Sequence, residues 1–427
     1  MVIKNGIVYD SLNKISGRRL DILVKDKMIA KIAPGIKPET GDTVIDAKSM
    51  FVIPGLVDMH VHLREPGETR KETIVSGSRA AARGGITTML AMPNTVPPAE
   101  SPEIISSLIN KAAADSLINI LFASCMTIKR EGLQPVDIAA NLKAGCAAFS
   151  DDGSSIQDVR VLAELCRLSS SANALLIDHP EVKALSKDSP VSYGALPVKY
   201  ALEGQPAESE SLAIWILGSA AGLYGARVHF THISTRKSAE AVEKLKAYYP
   251  GRITCDTTPH HLLLSENDLL NILDTNKKMN PPLRPEDDRQ AIEDALFSGI
   301  IDAIATDHAP HTGEEKNRPF ENAPFGTIGL ETLLSSTYTY LVRNKGMAVP
   351  AWLSLVSAEP SRILGIEGGT LKAGGRADIT VFNPHKTVKI ERDSIVSMSK
   401  NSAFIGRIFY GSTEYTIVNG KIVYPFE

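Results

Sequence analysis

The chain has 427 residues, a formal net charge of −3 and 43% hydrophobic residues. This balance argues against the basic surface that a nucleic-acid or polybasic membrane partner demands, and no stretch is long and apolar enough to span a bilayer. Cys125, Cys146, Cys166 and Cys255 form no Cys-x-x-Cys pair, so they read as small core residues in a reducing compartment. The N-terminal residues carry no leader pattern, and a cytoplasmic protein is expected.

In chain order, residues 1–53 read as short strands: the runs 2–9, 20–24 and 28–32 are apolar or alternating and lie between Gly, Asp and Lys turns. From 54 to 370, eight apolar, β-branched runs follow, at 56–62, 86–92, 118–124, 147–150, 174–178, 227–232, 252–257 and 301–306. Helical patterns at 72–83, 104–113, 158–169, 208–223, 239–248 and 287–297 lie between them. Alternating strand and helix predicts a parallel sheet, and eight repeats predict a closed (β/α)8 barrel of TIM type. Residues 371–427 return to strands, at 377–382, 406–410 and 415–424. The stretch Ile3-Lys-Asn-Gly-Ile-Val-Tyr9 resembles Ile417-Val-Asn-Gly-Lys-Ile-Val-Tyr424. Both termini are therefore expected to meet in one small β-sandwich domain.

Chemistry in such a barrel sits at the C-terminal ends of the strands. The first run ends His60-Val-His62-Leu-Arg64. Alternate side chains of a strand share a face, so these three are expected to project together. Two neutral imidazoles suit zinc, and the guanidinium offers a fork for a carboxylate. The second run stops at Asn94, the fourth at Asp151-Asp152, the fifth at His179 and the sixth at His232. The seventh stops at His260-His261 and the eighth at Asp307-His308-Ala-Pro-His311. Singly, each admits a plain role: a loop histidine, an Asp-Asp-Gly turn, a helix cap at Asp307. Gathered at one end, His60, His62, His179, His232, Asp307 and a bridging carboxylate from Asp151 or Asp152 make a candidate site for one or two divalent ions, with zinc the first choice.

Several segments carry a family resemblance across essentially the whole chain. They are Pro54-Gly-Leu-Val-Asp-Met-His60-Val-His62-Leu-Arg64-Glu-Pro-Gly, Met92-Pro-Asn94-Thr, Phe149-Ser-Asp-Asp152-Gly, Thr257-Thr-Pro-His-His, Lys278-Met-Asn280-Pro-Pro-Leu-Arg, Ala305-Thr-Asp307-His-Ala-Pro-His311 and Ala323-Pro-Phe325-Gly326. Together they resemble the dihydroorotases of the amidohydrolase superfamily. The resemblance implies reversible hydrolysis of L-dihydroorotate to N-carbamoyl-L-aspartate in pyrimidine synthesis. It also implies that His60, His62, His179 and His232 are metal ligands, Asp152 the bridging ligand, and Asp307 both ligand and catalytic base. Arg64, Asn94 and His311 would bind the substrate carboxylate. Asn280 and the backbone of Phe325-Gly326 would hold the ring or ureido group. The chain departs from the family pattern at Cys146 and Ser150, and at Asp178-His179-Pro-Glu, where relatives often carry Ala-His-Cys-Glu.

Hydantoinases and allantoinases are the nearest rivals, but they usually carry a carboxylated lysine at the end of strand four. Here 147–152 holds no lysine, and Lys143 precedes the strand. A catalytically dead barrel serving as a scaffold for aspartate carbamoyltransferase conflicts with the full ligand set. A homodimer is the default expectation, with a complex with aspartate carbamoyltransferase as a further partner. Residues 312–322 read either as a solvated loop or as a lid over the substrate.

Overall fold

The computed structural model describes residues 1–426. Eight strands form one parallel sheet. They are β1 (Leu56–Val61), β2 (Ile86–Ala91), β3 (Asn119–Ser124), β4 (Ala148–Phe149), β5 (Leu175–Asp178), β6 (Arg227–Phe230), β7 (Ile253–Thr257) and β8 (Ala303–Ile304). Neighbours in sequence are neighbours in space throughout. The ring closes where Val61 bridges His308 and the His62 N–H donates to the His308 carbonyl at 2.9 Å. Every strand lies inside its predicted run, trimmed by no more than two residues at either end. β4 and β8 are the shortest because their chains leave the ladder early, to place Asp151-Asp152 and Asp307.

The helices between strands follow local signals. Thr73 caps Ile74–Arg83 in a reciprocal capping box with Ser76, Thr235 caps Arg236–Tyr248, and Asn173 ends Val159–Ala172 in the left-handed conformation that Asn tolerates. Alternate strand residues feed two apolar clusters. Val57, Met59, Leu90, Leu175, Ile177 and Ala303 enter one, while Leu56, Met89, Leu176 and Ile304 enter the larger one shared with the helices. Successive side chains of a strand leave on opposite faces, which produces this split.

Both chain ends build a second sheet, mixed and eight-stranded. Phe51–Pro54 is its seam: Val8 pairs with Val52 in parallel, and Val52 pairs with Val381 antiparallel. The predicted run 406–410 and the first part of the run 415–424 are one strand, Ile408–Val418, and the rest of the second run is a separate strand, Lys421–Tyr424. Side chains from both ends, among them Ile3, Ile22, Val52, Ile379, Val381 and Ile417, make a single buried cluster. An aromatic group joins this sheet to the barrel. Tyr338 sits 4.9 Å from Phe382 and 5.5 Å from Trp352, ring to ring, and the Trp352 indole N–H donates to Thr337 Oγ1 at 2.9 Å. The helical segments after β8 that carry Tyr338 and Trp352 were not marked by the sequence pattern.

Candidate metal centre and active site

At the barrel mouth His60, His62, Asp152, His179, His232 and Asp307 converge, all buried. His60 Nε2 lies 3.3 Å from Asp152 Oδ1 and 3.6 Å from Asp307 Oδ1. His62 Nε2 lies 3.1 Å from Asp307 Oδ1 and 3.5 Å from Asp152 Oδ2. On the other flank of Asp152, His179 Nδ1 and His232 Nε2 approach Oδ1 at 3.6 and 3.8 Å and stand 3.0 Å from each other. Asp152 is thus shared by all four imidazoles. Asp151 is not: its carboxylate accepts from the Met126 and Thr127 N–H groups at 2.8 and 3.2 Å and from the Thr127 hydroxyl, which ties the strand-four loop to the strand-three loop.

Two overlapping donor sets could hold an ion, His60–Asp152–His232 and His60–His62–Asp307. The fit rests on unpaired atoms. His60 Nε2, Asp152 Oδ1 and His232 Nδ1 are buried with no hydrogen-bond partner among the described residues, and buried polar atoms are normally satisfied. Four imidazoles and two carboxylates suit a divalent ion such as zinc. The electrostatics agree. Burial opposes charge on His60 and His179, yet Asp152 beside both, with Asp307 near the first and Glu181 near the second, raises their pKa values to about 9 and about 10. Burial likewise opposes the Asp307 carboxylate, but His62, His60 and His232 hold it well below its usual range. Such a centre draws in cations, whether protons or a metal.

A second layer aims these ligands. The Asp58 carboxylate accepts from the Thr306 N–H and hydroxyl at 3.0 and 2.5 Å and from the His60 N–H at 3.3 Å, clasping β1 to the end of β8. Asp256 accepts from the His232 N–H at 2.6 Å, from the Thr231 hydroxyl at 3.2 Å and from His229 Nε2 at 2.8 Å. Thr231 Oγ1 in turn meets His60 Nδ1 at 2.7 Å, which leaves Nε2 facing the centre. Asn94 Oδ1 meets His62 Nδ1 at 2.9 Å in the same way. Neither Asp58, Thr231, Asp256 nor Glu181 was assigned a role from sequence. The available signals were that Asp58 lies two residues before His60 and that Asp256 is next to last in its strand run.

The substrate-side residues are placed as follows. Strand β1 ends at Val61, so strand alternation does not carry His60, His62 and Arg64 onto one face as expected. Arg64 instead sits in a left-handed turn (φ 59°), donating to the Pro310 carbonyl at 3.2 Å and to His311 Nε2 at 3.3 Å. Burial, then Arg64, Lys71 and Lys316, press the His311 pKa down to about 3, so its ring is neutral and can accept. Asn280 Nδ2 touches His179 Nε2 at 3.2 Å. Half-buried Phe325 lies under the Lys278 ammonium, 4.6 Å from its ring centre. The Gly326 N–H donates to the Lys278 carbonyl and its own carbonyl accepts from Asn401, so both its backbone groups are engaged. At φ +135°, a Cβ there would meet the Ala309 carbonyl at 2.8 Å, which requires glycine. Residues 312–322 are anchored: Thr312 and Glu315 cap a single helical turn, the Lys316 ammonium donates to the Thr275 and Pro324 carbonyls at 2.8 and 2.9 Å, and Phe320 is buried.

Residues 51–423 match the amidohydrolase family. The chain is 38% identical to the dihydroorotase of Citrifermentans bemidjiense, with 99% of each chain covered. It is 39% identical to that of Bacillus licheniformis, with 99% of this chain and 98% of that one covered. Among solved structures it is similar to the L-hydantoinase (dihydropyrimidinase) of Arthrobacter aurescens, with a TM-score of 0.87 and 25% identity over 99% of this chain and 95% of that one. The chain belongs to the amidohydrolase family and, within it, to the dihydroorotases. Its fold and family make it a metal-dependent cyclic amidohydrolase.

Proposed function

We propose that the chain hydrolyses the ring amide of (S)-dihydroorotate reversibly to N-carbamoyl-L-aspartate, in the synthesis of pyrimidine nucleotides, with zinc as its ion. The observation that carries this reading is Arg64 beside His311 at the edge of the metal centre, 3.3 Å apart. The half-buried Arg64 guanidinium hydrogen-bonds only neutral groups among the described residues, the Pro310 carbonyl and His311, which leaves its charge to be paired by an anion. Dihydroorotate brings a carboxylate, whereas simple hydantoins and dihydropyrimidines bring none. The absence of a lysine at residues 147–152 supports the same choice.

His60, His62, Asp152, His179, His232 and Asp307 would hold one or two ions. When bound, a divalent ion supplies Lewis acidity, making water more acidic and polarising the attacked carbonyl. Arg64 pairs with the substrate carboxylate through parallel hydrogen bonds, with Asn94 and His311 completing the pocket. That contact fixes the ring over the centre. Asn280 and the Phe325-Gly326 segment bound the ring and ureido side. Asp307 takes a proton from the attacking water as its oxygen bonds to the ring carbonyl carbon. It then returns the proton to the ring nitrogen as the carbon–nitrogen bond breaks, one base serving both steps. The reverse reaction follows the same path.

The test is a comparison of dihydroorotate with dihydrouracil, which lacks the carboxylate. Dihydroorotate should be consumed at least about 100-fold more efficiently, the value of one well-placed charged contact. Equal efficiency, or turnover confined to hydantoin or allantoin, would move the assignment to those enzymes. We further propose a cytoplasmic homodimer, supported by the exposed Leu212, Ile216 and Leu223 of the helix Glu208–Tyr224, with aspartate carbamoyltransferase as a partner. Light scattering alone and with that enzyme checks both.

A further inference from the structure

A cavity of about 190 Å3 borders His311, yet neither the six metal-centre residues nor Arg64 line it. Its walls carry Arg70, Lys316, Arg392 and Lys400 and no carboxylate. In a chain of net charge −3, Arg70, Arg392 and Lys400 make a local excess of positive charge in a concave site even with the Lys316 pKa lowered to about 7 by burial and Lys278, and such sites concentrate anions. The Lys316 side chain is buried, and among the described residues its amine meets only the carbonyls of Thr275, Lys278 and Pro324. Arg392 is exposed and has no ion-pair partner among the described residues. Arg70 is held over the cavity by Glu315 at 3.0 Å. The space is smaller than the roughly 300–1,000 Å3 of an ordinary organic-ligand pocket. It suits a compact oxyanion whose several oxygens can meet guanidinium forks at once.

The cavity is also wired to the substrate side. Glu315 bonds Arg70 at 3.0 Å and Lys71 at 3.4 Å through Oε1, and approaches His311 Nδ1 at 3.3 Å through Oε2. His311 Nε2 accepts from Arg64 at 3.3 Å. An anion that draws Arg70 off Glu315 alters the carboxylate's hold on His311, and through it the arginine that faces the substrate.

We propose that this cavity is a second, regulatory site for a phosphate group, free or carried by a small metabolite, and that its occupancy is read at Arg64 through Arg70, Glu315 and His311. Only the kinetic half of the test rests on the reading of the substrate given above. Inorganic phosphate and ribose 5-phosphate are titrated into the metal-loaded protein by phosphorus NMR. KM for dihydroorotate is measured alongside, at constant ionic strength against chloride. Saturable binding in the millimolar range is expected, with KM shifted about twofold or more and kcat little changed. Arg392→Ala should weaken phosphate about fivefold, the worth of one exposed charged contact at its upper end, and leave turnover without phosphate unchanged. Arg70→Ala should weaken phosphate and also abolish its effect on KM. The tighter of the two ligands identifies the source of the phosphate group. The proposal is overturned by absence of saturable binding, or by equal binding in both variants, which would place the anion at the metal centre. Binding that leaves KM unmoved overturns the coupling. If dihydroorotate is not turned over, that failure counts against the substrate reading, and the NMR titrations still decide the site.

Discussion

The barrel mouth and the terminal sheet both contain residues with positive φ, but of different kinds. In the terminal sheet they fall at Asn5, where the strand register shifts, and at Lys14, Asp26, Ser49 and Asn419, in turns between strands; all but Lys14 are short polar residues, and Asn and Asp in particular tolerate the left-handed region. At the mouth they fall at Arg64, His232 and Asp307, where each costs of order 1–3 kcal/mol and persists only because its surroundings impose it. The sheet's apolar core is Ile3, Ile22, Ile379, Val381 and their neighbours, and its buried Asp21 is paired with Lys4. The mouth instead buries four imidazoles and two carboxylates with unpaired atoms among them. One region is made for stability, and the other stores strain and unsatisfied charge for chemistry.

Substitutions that separate the two regions make the contrast testable. Asp307→Asn should lower turnover by about 10³-fold, in the range for loss of a general base, with metal content and melting temperature near wild type. Activity close to wild type would remove Asp307 as the base. Arg64→Ala should raise KM about 100-fold with a smaller change in kcat, matching loss of a charged, bidentate contact; steady-state kinetics at saturating metal reads this directly. Metal binding should also depend on pH in a fixed direction. With the pKa of His60 raised to about 9 and that of His179 to about 10, both are protonated in the metal-free protein at neutral pH and must lose their protons to an incoming ion. Affinity should therefore rise with pH up to about 9, about tenfold per unit for each proton released, as chelator competition would show. The smallest functional effect belongs to the sheet. Ile379→Ala, in its core, should cost about 2–5 kcal/mol of stability and leave kcat/KM unchanged where the variant remains folded.

Much of this was legible in the sequence for a physical reason. Buried parallel strands are written as continuous apolar runs, and their last residues point into the mouth, so the strand ends and the site residues were read together. What was not legible lay off the strands. Asp151 and Asp152 are adjacent in a loop beyond a two-residue strand, where no alternation decides which one faces the histidines. The left-handed turn at Arg64 leaves no period-two signature. Asn401, which reaches from near the C-terminus to hold His311, Ala309 and Gly326, depends on tertiary contacts that no local pattern encodes. The supporting roles of Asp58 and Asp256 come from contacts between strands, visible only once the barrel is closed.

If the six converging residues form the metal centre of a dihydroorotate-hydrolysing enzyme, its activity must follow its metal. The most direct test follows dihydroorotate consumption and metal content on one purified sample, before chelation, after it, and after zinc is restored. Turnover should disappear with the metal and return in proportion to zinc bound. Full turnover in metal-free protein, or none with the metal fully bound, would contradict it.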